Sequence, residues 1–194
     1  MSTPAGRRQL LVRGALALVA AVAVSLAATA PAGAATVKMS LQISPGTLNL
    51  AVGQVGTLAV TLNGSDHQPA VTVPLTVVDS RGSGSGWHVT ITSTAFSTSG
   101  TSPRLLPAGA TTVTAVTVGC AGSGSCIAPV NSVAYPLALP AGATPPSPVK
   151  LIGAAAESGL GSFAVVATLR VDVPATVHAG AYTAALTIAV VSGP

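Results

Sequence analysis

Charged side chains are scarce in this sequence. Only 6% of its 194 residues are Asp, Glu, Lys or Arg, and just four residues are acidic. The formal net charge of +4 owes most to three arginines close to the N-terminus, Arg7, Arg8 and Arg13. A protein that binds nucleic acid needs clustered basic residues to neutralise phosphates, and the rest of the chain has no such cluster. We therefore expect no nucleic-acid partner.

Residues that usually carry catalysis are also rare. The sequence has one tryptophan, two cysteines and three histidines, and the histidines His67, His88 and His178 lie in separate segments. None of them has the spacing to a second ligand that zinc sites require. A glycosidase needs two carboxylates at one cleft, and a chain with few carboxylates and few aromatic surfaces for sugars does not favour one. We predict a protein that is not an enzyme and has no metal or cofactor.

The N-terminal segment has the features of a secretory signal peptide. The three arginines precede an apolar run over residues 14–28, and small residues follow as far as Ala34. We predict cleavage after Ala34, which removes residues 1–34 and leaves about 160 residues. An uncleaved membrane anchor is the alternative, but the apolar run is short for a membrane span. We expect a secreted protein without a membrane segment after cleavage. General secretion is the default route and twin-arginine export is the alternative.

The two cysteines enclose a short glycine- and serine-rich segment. Cys120 and Cys126 are the only cysteines of the chain, and secretion makes a disulfide between them their simplest use. Closing this small loop would stabilise the fold by about 2 kcal/mol. A metal site would need more ligands, and a redox pair would need a shorter spacing. We therefore predict a structural disulfide.

Short segments rich in Val, Ile, Leu and Thr alternate with clusters of Gly, Pro, Ser and Asn from residue 36 onward. No stretch keeps the period of a helix. This pattern predicts an all-β protein with one antiparallel immunoglobulin-like β-sandwich over residues 35–194. The proline-rich residues 140–148 are predicted to run over the surface. The predicted strands cover residues 37–43, 47–52, 57–62, 71–78, 87–94, 111–118, 134–139, 163–173 and 182–191.

Two of these strands are joined by a glycine-rich linker and are predicted to form the hairpin that organises the domain. In the second strand Trp87, Val89 and Ile91 alternate with polar residues, which places the indole on the apolar face. Asp79 and Arg81 flank the start of the linker, where they can form a salt bridge. We expect Trp87 in the core, with a role in an attachment surface as the alternative.

Three features, in this order, resemble the WxL domain of Gram-positive surface proteins. They are Asp79-Ser80-Arg81-Gly82, then Gly86-Trp87-His88-Val89, then a closing strand that begins at Tyr182 and contains Ile188-Ala189-Val190. The family is named for two Trp-x-Leu motifs, the first after an Asp-x-Arg-Gly turn and the second in the last strand. This sequence departs from both motifs, because Val89 replaces the first leucine and Ile188 stands at the second tryptophan. The resemblance covers most of the chain from about residue 71 onward.

The resemblance implies a cell-surface binding module that attaches without covalent bonds to the cell wall peptidoglycan or to partner surface proteins. The alternative is a structural subunit of a coat, fibre or surface layer that self-associates through sheet edges, such as the uncharged residues 47–62. The residues implied in binding are Trp87, Val89, Tyr182, Ile188 and Val190. Those implied in structure are Asp79, Arg81 and Gly86.

Overall fold

The computed structural model describes residues 38–194, of which Gln42–Pro194 form one compact unit. The predicted signal peptide lies outside the described residues. All regular secondary structure in the described part of the chain is β-structure, and no helix is present there. No helix among these residues could therefore cross a membrane. The predicted all-β class is confirmed.

The described residues form strands of very unequal length, paired mostly in antiparallel fashion. The longest strands carry an alternation of buried and exposed side chains, as expected when one face of a sheet covers a core. The strands are β1 Leu48–Val52, β2 Ala70–Asp79, β3 Trp87–Thr94, β4 Ser97–Thr98, β5 Thr111–Cys120, β6 Leu137–Ala138, β7 Ala141–Gly142, β8 Val149–Ala154, β9 Gly161–Val171, β10 Tyr182–Thr183 and β11 Leu186–Ser192.

Two larger sheets contain most of these strands. The first sheet has the order β1-β2-β9-β5-β6, and β1 is one of its edges. In the second sheet β3 lies between β11 on one side and β7 and β8 on the other. The contact between β3 and β7 is parallel and the others are antiparallel. Strands β4 and β10 form a separate two-stranded pair.

One hydrophobic cluster contains buried residues of both larger sheets. Burial of each large apolar side chain contributes about 1.5–3 kcal/mol, so this shared core is the main source of stability. Strand β1 and strand β11 add half-buried leucine, isoleucine and valine side chains at its margin. The fully buried members with the largest side chains are Trp87, Phe163, Ile91, Leu139, Leu151, Ile152, Val73, Val77, Val89, Val113 and Val165.

The predicted hairpin is wrong, because β2 and β3 belong to different sheets. Strand β2 has β1 on one side and β9 on the other, so neither of its edges is free for β3. Residues 81–86 instead carry the chain from the first sheet to the second, with positive φ angles at Gly82, Gly84 and Gly86. The alternation of apolar residues was interpreted correctly, but alternation fixes which face is buried and not which strand is the neighbour.

The predicted strand at residues 57–62 does not form, and Pro74 provides the reason. Strand β1 pairs with β2 as far as Val52, which lies opposite Leu75, and Gly53 then donates its N–H to the carbonyl of Pro74. Pro74 has no N–H, so the ladder along this edge of β2 lacks a donor at the point where it would continue. The chain leaves the sheet there, and residues 57–62 pair with no other described segment.

Several other strand boundaries differ from the prediction. Residues 38–47 contain no strand, and Val37 lies outside the described residues. Only β6 forms within residues 134–139, and the predicted last strand divides into β10 and β11, which pair with different partners. The proline-rich segment contributes the two residues of β7, and the sequence analysis missed β8 entirely. These boundaries depend on which strands pair with each other and not on the local propensity of the residues.

Candidate functional site

The structure places the two motifs of the WxL resemblance on neighbouring strands. Strand β11 pairs with β3 so that Val190 lies opposite Val89 and Ile188 lies opposite Ile91. Ile188 and Val190 are half-buried and pack against the core cluster, whereas Val89 is fully buried. Tyr182, the fifth residue implied in binding, packs in a second and smaller hydrophobic cluster. The five residues therefore do not form one surface.

The indole of Trp87 is fully buried, in agreement with the expectation of a core position. Its Nε1–H donates to the carbonyl oxygen of Gly159 at 2.8 Å, and its ring centroid lies 6.1 Å from that of Phe163. Gly159 has a φ of 69°, and a Cβ at this position would come 2.6 Å from the indole nitrogen. Trp87 and Val89 thus offer no side-chain surface to a ligand, and their packing accounts for their apolar character.

Arg81 connects the ends of three strands. Its guanidinium donates to both carboxylate oxygens of Asp79, at 2.9 and 2.8 Å, and to the carbonyl oxygen of Gly86 at 2.8 Å. It also donates to the hydroxyl of Ser192, the last residue of β11. The Asp79 side chain is fully buried, and the hydrogen bond from Arg81 holds the pKa of this carboxyl below its ordinary value. The predicted salt bridge is present, and the structure supports a structural role for these residues.

Gly86 completes this arrangement because its backbone has a conformation that side chains disfavour. Its φ is 70°, and an added Cβ would collide with the carbonyl oxygen of Ala154 on β8. A glycine is needed here both for the dihedral angle and for the close approach of β8. The crossing between the two sheets is therefore tightly specified by Asp79, Arg81 and Gly86.

Cys120 and Cys126 lie within disulfide-bonding distance, with Cα atoms 5.9 Å apart. The bridge joins the end of β5 to the segment that runs back toward β9, where Ile127 exchanges backbone hydrogen bonds with Leu160 and Gly159. Gly159 is also the residue whose carbonyl oxygen accepts the hydrogen bond from the indole of Trp87. The cysteine pair therefore supports the end of the core where Trp87 is packed.

The three histidines remain in separate environments. His67 exchanges backbone hydrogen bonds with Val173. The Nδ1 atom of His88 lies 2.7 Å from the carbonyl oxygen of Gly193. His178 is exposed. Over residues 38–194 no group of three or more His, Cys, Asp and Glu side chains could hold a metal ion. These positions supply no arrangement of nucleophile, base and orienting group.

An apolar groove lies over the second hydrophobic cluster. It has a volume of about 530 Å³ and continues into a recess of about 270 Å³ that shares Leu58, Phe96 and Tyr182 with it. Its floor is the second hydrophobic cluster, in which Leu106, Ala110 and Val171 are buried. The groove is of the size that binding sites commonly have. Its walls include Leu58, Val60, Leu62, Phe96, Leu106 and Tyr182.

One wall of the groove is a length of backbone without partners. Among the described residues, no backbone group of residues 54–62 takes part in a backbone hydrogen bond. The side chains of Val60 and Leu62 are each 38% exposed, although both are large and apolar. Residues 57–62 thus combine a strand-like sequence, backbone without hydrogen-bonded partners among the described residues and exposed apolar side chains, so an added strand could pair with them.

Tyr182 links this groove to the sequence analysis. Its hydroxyl donates to the carbonyl oxygen of His178 at 2.9 Å, which closes the turn before β10 and turns the ring toward the groove. Strand β10 pairs with β4, so Phe96 and Tyr182 are brought together by that short pairing. The sequence analysis did not identify Phe96 and Leu106 as candidate binding residues, because they lie in segments without a strand pattern. The signal that could have identified them was their apolar character within a polar stretch.

Comparisons with known proteins provide no relative for this chain. No protein-family model matches it, no curated protein matches it, and no solved structure matches it.

Proposed function

We propose that this protein is a secreted, non-enzymatic binding module of the cell surface that takes an extended apolar segment of a partner protein into the groove. The proposal includes removal of residues 1–34, an immunoglobulin-like sandwich built from the two larger sheets, and a place in the WxL-like group. The observation that carries it is the combination of an apolar groove with the unpaired backbone of residues 54–62.

The chemistry of the groove favours a polypeptide over a glycan. Its lining is mostly aliphatic, and Phe96 and Tyr182 are the aromatic residues in it. A sugar chain needs hydrogen-bonding side chains and stacking surfaces, whereas an extended peptide uses backbone hydrogen bonds for affinity and apolar pockets for specificity. We therefore place the contact with partner surface proteins in the groove. Attachment to the wall is then indirect.

The test is binding to Gram-positive cell walls in two forms, one with surface proteins retained and one stripped to peptidoglycan. The protein should sediment with the first form and not with the second. Val60→Asp places a charge in the groove and should weaken binding at least about tenfold, or 1.4 kcal/mol. Val118→Asp is the matched control, because Val118 is equally exposed, at 38%, and does not line the groove.

Equal binding to stripped walls would contradict the proposal and direct attention to peptidoglycan itself. Equal weakening by Val60→Asp and Val118→Asp would also contradict it, since the effect would then come from surface charge in general. Circular dichroism of each variant checks that the fold is retained.

The alternative, a structural subunit that self-associates through sheet edges, is supported by a separate observation. Strand β11 is an edge of the second sheet, is seven residues long and contains no charged residue or proline. Edge strands of soluble proteins usually carry such residues to prevent pairing with other chains. A charge introduced on this edge, by Ala189→Lys on its exposed face, should abolish any assembly that uses it. Assembly that survives this change would exclude the edge of β11.

A further inference from the structure

The segment that precedes β1 carries large apolar side chains that are mostly exposed. Met39, Leu41 and Ile43 are 95%, 82% and 84% exposed. They alternate with Lys38, Ser40 and Gln42, so the three apolar side chains share one face of an extended chain. Three large apolar residues in this arrangement are typical of the face that a strand buries against a core, but residues 38–43 belong to no sheet among the described residues. We call residues 38–43 the arm.

The groove needs a covering segment. Among the described residues, nothing covers its apolar walls, and the backbone of residues 57–62 has no hydrogen-bonded strand beside it. A compact apolar ligand would cover the walls but would leave buried N–H and C=O groups unpaired, which costs about 1–3 kcal/mol for each group. An extended strand satisfies both needs, because it brings backbone partners and side chains together.

The arm and residues 57–62 also match in length. Each is six residues long and spans about 20 Å when extended. In an added strand, alternate side chains point to the same face, so Met39, Leu41 and Ile43 would all enter the groove while the polar residues face solvent. This places the most exposed large apolar residues of the described chain against the apolar groove.

The position of Gly46 decides between an arm from the same chain and one from another copy. Gly46 donates its N–H to the carbonyl oxygen of Ser80, beyond the end of β2, whereas the recess that continues the groove is lined by Val71 at the start of β2. These two ends are nine residues apart, or roughly 30 Å. Ile43 is three residues from Gly46 and reaches about 10 Å, and Met39 reaches about 25 Å. The arm is too short to fill the groove of its own chain.

We infer that the arm of one copy adds as a strand along residues 57–62 of a second copy, with Met39, Leu41 and Ile43 in the groove. The inference rests on the proposed use of the groove as a site for an extended segment, and it names that segment. The contact is heterologous, since the arm and the groove are different surfaces. Repetition of a heterologous contact produces rings or open fibres. The partner that we assigned to the groove is therefore a second copy of the same protein.

Two variants with complementary defects test this inference on purified protein obtained by expression and export of the full chain. Leu41→Asp disables the arm and leaves the groove intact, and Val60→Asp disables the groove and leaves the arm intact. Molar mass is measured by light scattering during size exclusion over a range of concentrations. The unaltered protein and Val118→Asp should form larger species as concentration rises. Each of the two variants should be monomeric by itself.

A mixture of Leu41→Asp and Val60→Asp should contain dimers and nothing larger. The intact arm of the second variant fills the intact groove of the first, and the dimer then ends in a charged arm and a blocked groove. Symmetric edge pairing predicts no such rescue, because both surfaces of a symmetric contact carry the same defect. A mixture that remains monomeric, or an unaltered protein that is monomeric at all concentrations, would overturn the inference.

A labelled peptide with the sequence of residues 37–44 provides an independent readout. It should bind Leu41→Asp, whose groove is free, and should bind Val60→Asp at least about tenfold more weakly. Leu62→Asp replaces Val60→Asp if the latter does not fold, since Leu62 is equally exposed. Absence of peptide binding to folded Leu41→Asp would contradict the inference.

These measurements use no cell wall, so they are separate from the test of the proposed function. Dimer formation by the mixture together with failure to bind protein-bearing walls would reject surface attachment and retain the arm as the occupant of the groove. Wall binding by monomeric Leu41→Asp together with a monomeric mixture would reject the arm and retain a foreign partner.

Discussion

The two ends of strand β2 differ in how completely their polar and apolar groups are satisfied. At the Asp79 end, Arg81 contacts a carboxylate, a carbonyl and a hydroxyl, and the indole of Trp87 has a hydrogen-bond acceptor and full burial. At the Ala70 end, the backbone of residues 54–62 has no hydrogen-bonded backbone partner among residues 38–194, and the groove is open. At the Asp79 end, these polar groups are already hydrogen-bonded and the indole is already buried. At the Ala70 end, a partner could add both hydrogen bonds and apolar contacts.

This difference separates stability from binding within one sheet. Substitutions at the closed end remove contacts that exist within the folded chain, so they should lower the free energy of unfolding. Substitutions at the open end remove contacts that only a partner completes, so they should change binding and leave stability almost unaltered. The largest expected effects therefore come from the tryptophan that the sequence resemblance assigned to binding.

Trp87→Ala should lower the free energy of unfolding by about 3–5 kcal/mol, because it removes a fully buried indole and leaves a cavity. Urea denaturation measures this change. Trp87→Phe keeps most of the packing and loses the bond to Gly159, so its cost should be smaller, about 1–3 kcal/mol. Loss of partner binding by Trp87→Phe at unchanged stability would contradict this separation of the two ends of β2, since it would assign a binding role to the Asp79 end.

Asp79→Asn should destabilise the protein by about 2–3 kcal/mol, because it removes the charge that Arg81 binds in a buried site. The folded-state pKa of Asp79 is lowered, so its contribution is complete above the unfolded pKa of about 4 and is lost as the pH falls through the lower folded value. Stability of the parent protein should therefore decline at acidic pH more steeply than that of Asp79→Asn. Parallel pH profiles of unfolding for the two proteins would contradict this.

Reduction of the cysteine pair should lower the free energy of unfolding by about 2 kcal/mol while the circular dichroism spectrum stays the same. The loop between Cys120 and Cys126 is short, so the entropy that the bridge removes from the unfolded chain is modest. Thermal unfolding with and without a reductant measures the change. Free thiols in protein recovered from outside the cell would count against the bridge.

Val60→Asp should change stability by less than about 0.5 kcal/mol, because Val60 is an exposed position outside the strands and outside both hydrophobic clusters. The same variant should show the tenfold loss of binding described above. Urea denaturation and peptide binding, measured on the same preparation, sharpen the contrast with Trp87. A loss of stability comparable to that of Trp87→Ala would show that the open end also supports the fold.

Alternation of apolar and polar residues was sufficient to predict the class of the protein and the burial of particular side chains. Trp87, Val89 and Ile91 are buried as their period of two requires, because burial of a strand face is a local consequence of backbone geometry. The pairing of Cys120 with Cys126 was predictable for a different reason, since they are the only two cysteines of the chain and a secretory signal was predicted. The bond between Arg81 and Asp79 also depends on neighbours in the sequence.

Pairing between distant strands was decided by the tertiary structure. The sequence by itself does not show that β1 and β9 occupy both edges of β2, so it could not exclude the hairpin with β3. Nor does local propensity show that Pro74 ends the ladder, because residues 57–62 have the composition of a strand whether or not a partner has an N–H to offer. The groove lies where residues 57–62 have the composition of a strand but no hydrogen-bonded partner among the described residues, and this depends on contacts between segments far apart in the chain.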